Sequence, residues 1–168
     1  MTKPLRLGIA GLGTVGVGVV KIIRHKAALL EARGGRPITI SAVCARSRVK
    51  DRGVPLDGYD WEDDAVSLAQ RDDVDVFVEL VGGSDGPAKA ATEAALRAGK
   101  DVVTANKALL AHHGQNLAQA AEKVGAVLRF EAAVAGGIPV VKALTEGLAG
   151  NDIMRVMGVM NGTCNYIL

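Results

Sequence analysis

Read as apolar and polar positions, the chain alternates short apolar runs with longer stretches of helical period. That alternation is the pattern of a parallel sheet with helices on both faces. Leu5 to Ala10 is an apolar run ending at a glycine, and Val15, Val19 and Ile22 then recur at helical spacing until Gly34 and Gly35, which reads as strand, tight turn and helix. Ile38 to Ala45 predicts a second strand, and the valine-rich Val74 to Val81 a third, before the breakers Gly82, Gly83, Ser84, Asp85 and Gly86. Pro87 stands where a first helical turn tolerates it, an alanine-rich helix runs to about Ala98, and Asp101 to Thr104 predicts a fourth strand. Leu110, Leu117, Ala121 and Val124 give the next helix its apolar stripe, and Gly125 ends it before a fifth strand at Ala126 to Glu131. Ala135 to Pro139 starts a helix that runs to about Gly147, and Ile153 to Val159 predicts a sixth strand. The polar stretch from Asp51 to Asp64 reads as a loop with a short helix, Trp61 to Asp64 marking the loop and the helix start.

Composition narrows the partners. With 168 residues, 49% of them hydrophobic, the chain can bury a core without metals or disulfides. Twenty basic against 18 acidic residues leave a net charge of +2, so no large field draws nucleic acid or an anionic membrane, and neither is expected as a partner. Cys44 and Cys164 are far apart, with no zinc-ligand spacing and no disulfide framework, so both read as reduced thiols. No signal peptide is recognisable and no apolar run reaches the ~20 residues a membrane helix needs; a cytoplasmic, soluble protein is expected.

The chemistry begins at the first turn. Gly11-x-Gly13-x-x-Gly16 directly follows the first strand and opens the first helix, the context that the dinucleotide fingerprint requires. The first glycine allows the tight turn, the second lets a pyrophosphate approach the backbone, and the third lets helix and strand pack closely. Amides of Thr14 and Val15 at the helix start would face the phosphate oxygens. Together these features predict an α/β fold, a Rossmann-type doubly wound parallel sheet. Where an NAD site usually places an acidic residue, after the second strand, this chain has Arg46, with Ser47, Arg48 and Lys50 close behind. A guanidinium can stack on adenine and pair with a 2′-phosphate, which favours NADP while leaving NAD possible. His112 and His113 are adjacent, point to different helix faces and cannot share a metal; they are expected to face solvent.

Four further motifs are more specific than a fold: Glu79-Leu80-Val81-Gly82-Gly83, Thr104-Ala105-Asn106-Lys107, Glu131-Ala132-Ala133-Val134-Ala135-Gly136-Gly137-Ile138-Pro139, and Asn161-Gly162-Thr163-Cys164-Asn165-Tyr166-Ile167-Leu168. In order and spacing the chain closely resembles the homoserine dehydrogenases over essentially its whole length. The resemblance implies reversible hydride transfer between NAD(P)H and the aldehyde carbon of aspartate 4-semialdehyde, giving homoserine. It implies that Gly82, Thr104, Asn106 and Lys107 flank the cofactor edge, and that Lys107 lies near nicotinamide and substrate, where a cation could polarise a carbonyl or organise a proton path. Glu131, Val134, Gly136 and Ile138 match the segment that in this family holds a monovalent cation, usually sodium, through a carboxylate and backbone carbonyls. Residues 1–150 are then expected to form the NAD(P)-binding domain, and 151–168 the incomplete beginning of a substrate and dimerisation domain, with Asn161, Gly162 and Thr163 at the crossing. The family's acid-base lysine and substrate-gripping acidic residues lie beyond that point, so this chain is expected to bind cofactor and to turn over homoserine slowly or not at all; a full-length protein is expected to be a homo-oligomer. Another aspartate-pathway reductase and a non-catalytic NADP-binding sensor are the competing readings. The Asn-Gly-Thr motif argues against the first, and Arg46 with Lys107 against the second.

Overall fold

The structure, a computed structural model, describes residues 2–158. Strand β1 (Leu5–Ala10) leads through the glycine turn into α1 (Thr14–His25) and α2 (Ala27–Gly34); β2 (Ile38–Cys44), β3 (Asp60–Glu62) and α3 (Ala65–Gln70) follow. Next come β4 (Val76–Glu79), α4 (Pro87–Arg97), β5 (Asp101–Thr104), α5 (Lys107–Val124) and β6 (Leu128–Arg129). A 3-10 turn at Glu131–Ala133 and a helix α6 (Val140–Lys142), which widens to π geometry over Ala143–Gly147, complete the order. The strands form one sheet in the order β3-β2-β1-β4-β5-β6, and every paired neighbour is parallel. This is the Rossmann arrangement, in which the direction of winding reverses between β1 and β4 and a crevice opens at the carboxyl ends of those strands.

Alternation along each strand decides what each layer buries. Ala10, Ala42, Cys44, Phe77 and Val102 face α3, α4 and α5, where Leu68, Ala91, Ala95, Leu109 and Leu117 complete a buried cluster. The alanines of α4 keep that helix close to the sheet, since no long side chain holds it off. On the other face Leu7, Ile9, Ile40, Val43, Val76 and Val78 pack with Val20 of α1. The β4–β6 half of that face carries no helix among the described residues and forms an apolar groove of about 420 Å³, lined by Leu7, Val76, Val78, Val103 and Val127.

Several sequence expectations need correction. The buried stripe of α1 is Gly16 and Val20 with half-buried Val19 and Ile23, whereas Val15 and Ile22 are exposed; packing of Gly16 against the turn sets the rotation of the helix. That helix does not run unbroken to Gly34 but breaks at Lys26. The segment taken for a loop with a short helix holds the edge strand β3, whose three residues pair with β2; so short an element leaves almost no periodicity to read. Asp64, as expected, starts α3, its carboxylate accepting the Ser67 amide at 2.8 Å. The fifth strand shrinks to Leu128–Arg129. Residues 153–158 form no strand: they pair with no sheet edge, and Met154 is 94% exposed. Val159, Asn161, Gly162, Thr163 and Cys164 lie outside the described residues.

The opposite edge of the sheet is held by ion pairs. Arg6 at the start of β1 grips Asp75 before β4 with Nε at 3.0 Å and Nη2 at 2.7 Å, while its amide donates to the same carboxylate at 2.9 Å. Arg71 donates to Asp60, Glu62 and Asp73 at 2.5–2.8 Å, fastening β3 to the loop after α3. The hydrogen-bonded Arg6 guanidinium holds the Asp75 carboxyl down at about 2, and Arg71 likewise lowers Asp73. An unfolded aspartate titrates near 4, so the stabilisation from Asp75 is complete above about pH 4 and is lost as pH falls towards about 2. Thermal melts are therefore expected to fall across that window, and less steeply in Asp75→Asn; parallel melting curves for the two proteins would count against this origin.

Candidate functional site

The glycine turn is explained by contacts at two of its three glycines. Gly11 has φ +98°, and a Cβ there would stand 2.3 Å from the Leu80 carbonyl oxygen; a Cβ on Gly16 would stand 1.9 Å from the Gly11 carbonyl oxygen. Both positions exclude any side chain. Gly13 differs: its backbone is extended, with φ −79° and ψ −163°, and a Cβ would meet no atom of the described residues within 4 Å. Nothing among the described residues requires glycine there, whereas a ligand lying against the backbone would. The first intrahelical bond of α1 is Val17 N–H to Gly13 O at 2.9 Å, and no side chain caps the preceding amides and no acid sits in the first turn. By contrast α3 and α5 are capped by Asp64 and Asn106. The amides of Thr14, Val15 and Gly16, with the helix dipole behind them, are thus presented to an anion.

Because all strands are parallel, the other expected residues gather at the same edge. Arg46 follows β2, the glycine turn follows β1, Gly82 follows β4, Thr104 ends β5, and Glu131 follows β6. From β2 to β5 this row spans three strand spacings, about 14 Å. Arg46 is exposed and has no ion pair or hydrogen bond among the described residues. Lys107, the first residue of α5, is likewise exposed and unbonded there; a helix N-terminus is a poor place for a cation, so helix stability does not account for it.

Glu79 opens the first of the four motifs but is assigned no role there; the structure places it at the centre of the edge. It is fully buried. Its Oε1 accepts the amides of Val81 at 2.8 Å and Gly82 at 3.1 Å, and its Oε2 accepts the Thr104 hydroxyl at 2.5 Å. Thr104 Oγ1 accepts the Asn106 amide at 3.0 Å; Asn106 Nδ2 donates to Gly83 O at 2.6 Å, and its Oδ1 caps α5 by accepting the Leu109 amide at 3.1 Å. Thr104 and Asn106 therefore act as structural links at the carboxyl ends of the strands, joining the start of α5 to the loop after β4. A carboxylate closing an otherwise apolar strand, just before two glycines, was the available signal.

A second unforeseen residue is Arg52. Its guanidinium donates to three carbonyls, Leu12 in the glycine turn at 3.2 Å, Ser47 at 2.6 Å and Lys50 at 2.8 Å, and lies over the Trp61 ring with its carbon 5.6 Å from the centroid. Arg48 stands 5.9 Å from the same ring. Carbonyls satisfy the donors of Arg52 without neutralising its charge, so the loop after β2 stays strongly basic beside Arg46. His113 is also corrected: it is half-buried and pairs with Asp85 at 2.9 Å, tying α5 to the loop after β4, while His112 is exposed as expected. Cys44 is buried and free, and burial, with Asp64, Asp63 and Glu62 nearby, pushes its thiol pKa up, towards inertness.

Beyond β6, both oxygens of Glu131 accept amides at the start of α6, from Val141 at 3.1 Å and Lys142 at 2.8 Å. The intervening segment turns sharply through Ala135, at φ +48°, with Ile138 N–H donating to Ala135 O at 2.8 Å. The Ile138 carbonyl accepts from Val140; those of Val134 and Gly136 have no hydrogen-bond donor among the described residues.

The family model described as "Homoserine dehydrogenase, NAD binding domain" matches residues 11–131, from the first glycine of the turn to Glu131. The chain belongs to the homoserine dehydrogenase family. A second family model, for homoserine dehydrogenase, matches residues 139–168. The homoserine dehydrogenase of Mycobacterium bovis is 49% identical over 166 residues, covering 99% of this chain and 37% of that protein. That of Neisseria gonorrhoeae is 48% identical, covering 99% and 38% respectively. The solved homoserine dehydrogenase of Thiobacillus denitrificans superposes with a TM-score of 0.82 at 40% identity, covering 89% of this chain and 34% of that one. The chain thus spans just over a third of the length of these homoserine dehydrogenases. The match from the glycine turn onward sets aside the other aspartate-pathway reductases.

Proposed function

We propose that this chain is the coenzyme-binding part of a homoserine dehydrogenase, residues 1–150 forming the NAD(P)-binding domain and 151–168 beginning a substrate and dimerisation domain of a cytoplasmic homo-oligomer. The observation that carries the reading is the turn in which no contact among the described residues requires Gly13 while the amides behind it are left uncapped. When bound, the nicotinamide supplies or takes up the hydride that interconverts the aldehyde of aspartate 4-semialdehyde and the alcohol of homoserine. Gly11, Gly13, Thr14, Val15 and Gly16 hold the pyrophosphate, Arg46 with the basic loop around it receives the adenosine end, and Gly82, Thr104, Asn106 and Lys107 border the nicotinamide end. At that end the Lys107 ammonium polarises the reacting carbonyl or holds a proton for its oxygen.

Fluorescence titration tests this directly: both NADPH and NADH are expected to bind, NADPH more tightly. Arg46→Asp removes a charge-assisted contact to a 2′-phosphate and adds a repulsion, so the preference should move towards NADH by about tenfold or more. Binding of neither coenzyme by the parent protein would overturn the proposal, and an unchanged preference in the variant would remove Arg46 from it.

Glu131 and the carbonyls of Val134, Gly136 and Ile138 are proposed to hold a monovalent cation, sodium being the ion that the family resemblance implies and oxygen ligands suiting such a hard ion. The donors fit. Each Glu131 oxygen takes only one amide and keeps a lone pair. Sodium chloride in place of choline chloride is expected to raise the melting temperature of the parent protein but not of Glu131→Gln; equal responses would exclude the site.

A further inference from the structure

We propose that Glu79 is a positioning residue for the nicotinamide half of the coenzyme site, an inference that rests on the dinucleotide reading above. A carboxylate costs much to bury, and Glu79 is fully buried at the end of a strand whose other residues are apolar. No cation is within ion-pair reach of it among the described residues. Its three bonds instead go to neutral donors, two in the loop after β4 and one at the end of β5, so a single side chain sets the geometry of both places.

Towards β1, Glu79 draws the Val81 and Gly82 amides inward. Peptide planarity then turns the carbonyls of Leu80 and Val81 the opposite way. The Leu80 carbonyl oxygen is the atom that a Cβ on Gly11 would strike, so the loop after β4 lies against the glycine turn, which is itself held to β2 by Gly11 N–H donating to Cys44 O at 2.8 Å. The Val81 carbonyl, directed away from the core, becomes an acceptor at the cofactor edge. Towards β5, Glu79 orients the Thr104 hydroxyl, which accepts the Asn106 amide; Asn106 then clamps Gly83 and caps α5, whose first residue is Lys107. None of these bonds reaches Arg46, Arg52 or Trp61, so the adenosine end is independent of Glu79.

That separation supplies the test. NADPH spans both halves of the site, whereas 2′,5′-ADP occupies the adenosine end alone. Glu79→Gln keeps shape and one acceptor oxygen but places an amino group against Thr104 Oγ1, leaving the threonine proton without an acceptor; Thr104→Val removes the same link from the other side. In each variant, NADPH affinity is expected to fall at least fivefold while 2′,5′-ADP affinity stays within twofold of the parent. Circular dichroism confirms folding, and if Glu79→Gln fails to fold, Thr104→Val decides. Parental NADPH affinity in the folded variants, or an equal loss for both ligands, would overturn the assignment. A parent protein that binds neither ligand overturns the dinucleotide reading itself, and this inference with it.

Discussion

Alanine at position 13 is expected to cost the protein no stability and at least tenfold in affinity for a nicotinamide dinucleotide. The backbone at Gly13 is extended, at φ −79° and ψ −163°, a conformation open to any residue. A Cβ there meets no atom of the described residues within 4 Å. Restricting the unfolded chain could even stabilise the fold by about 0.4–1 kcal/mol. The added methyl stands where the uncapped amides of α1 would meet a pyrophosphate, and forcing the phosphates outward weakens several charge-assisted hydrogen bonds at once. Thermal melts paired with fluorescence titrations of NADPH check both halves of the expectation. Parental affinity in the alanine variant would mean that the phosphates do not lie against this residue.

Gly16→Ala should behave in the opposite way. Its Cβ would lie 1.9 Å from the Gly11 carbonyl oxygen, and neither side of that contact is a flexible side chain. Relief requires α1 to move off β1 and to disturb the packing of Val20 against Ile9 and Val43. Overpacking on this scale costs roughly 3 kcal/mol, a fall in melting temperature of roughly 10 °C for a chain of this size. Denaturant titration is expected to show a lowered midpoint with unchanged slope. A variant as stable as the parent would show that helix and strand are not held together at this point.

These contrasting glycines also mark how far sequence alone could reach. Spacing identified all three positions, and the alternation of apolar segments identified the sheet, because both depend on neighbours in the chain. It could not tell which glycines the fold requires and which it leaves free of contact, since the Leu80 carbonyl that excludes a side chain at Gly11 lies 69 residues away. The same limit hid β3, an edge strand of three residues recognisable only through its pairing with β2. It made Ile153 to Val159 look like a strand, because apolar character does not reveal whether a sheet edge is within reach. At the site, residues proposed to touch a ligand through their own chemistry, such as Arg46 and Lys107, were legible by type and place. Glu79 and Arg52 were not, because each acts through bonds to loops brought together only by folding.

Arg52 bears on redesign of coenzyme choice. One guanidinium joins the Leu12 carbonyl to those of Ser47 and Lys50, so the segment after β2 is mechanically tied to the glycine turn. Grafting a whole acidic loop from an NAD-dependent enzyme would remove that rivet together with the positive charge, and weakened binding of every nucleotide would mask any gain in selectivity. A switch is better sought by altering Arg46 alone, leaving the arginine six positions later in place.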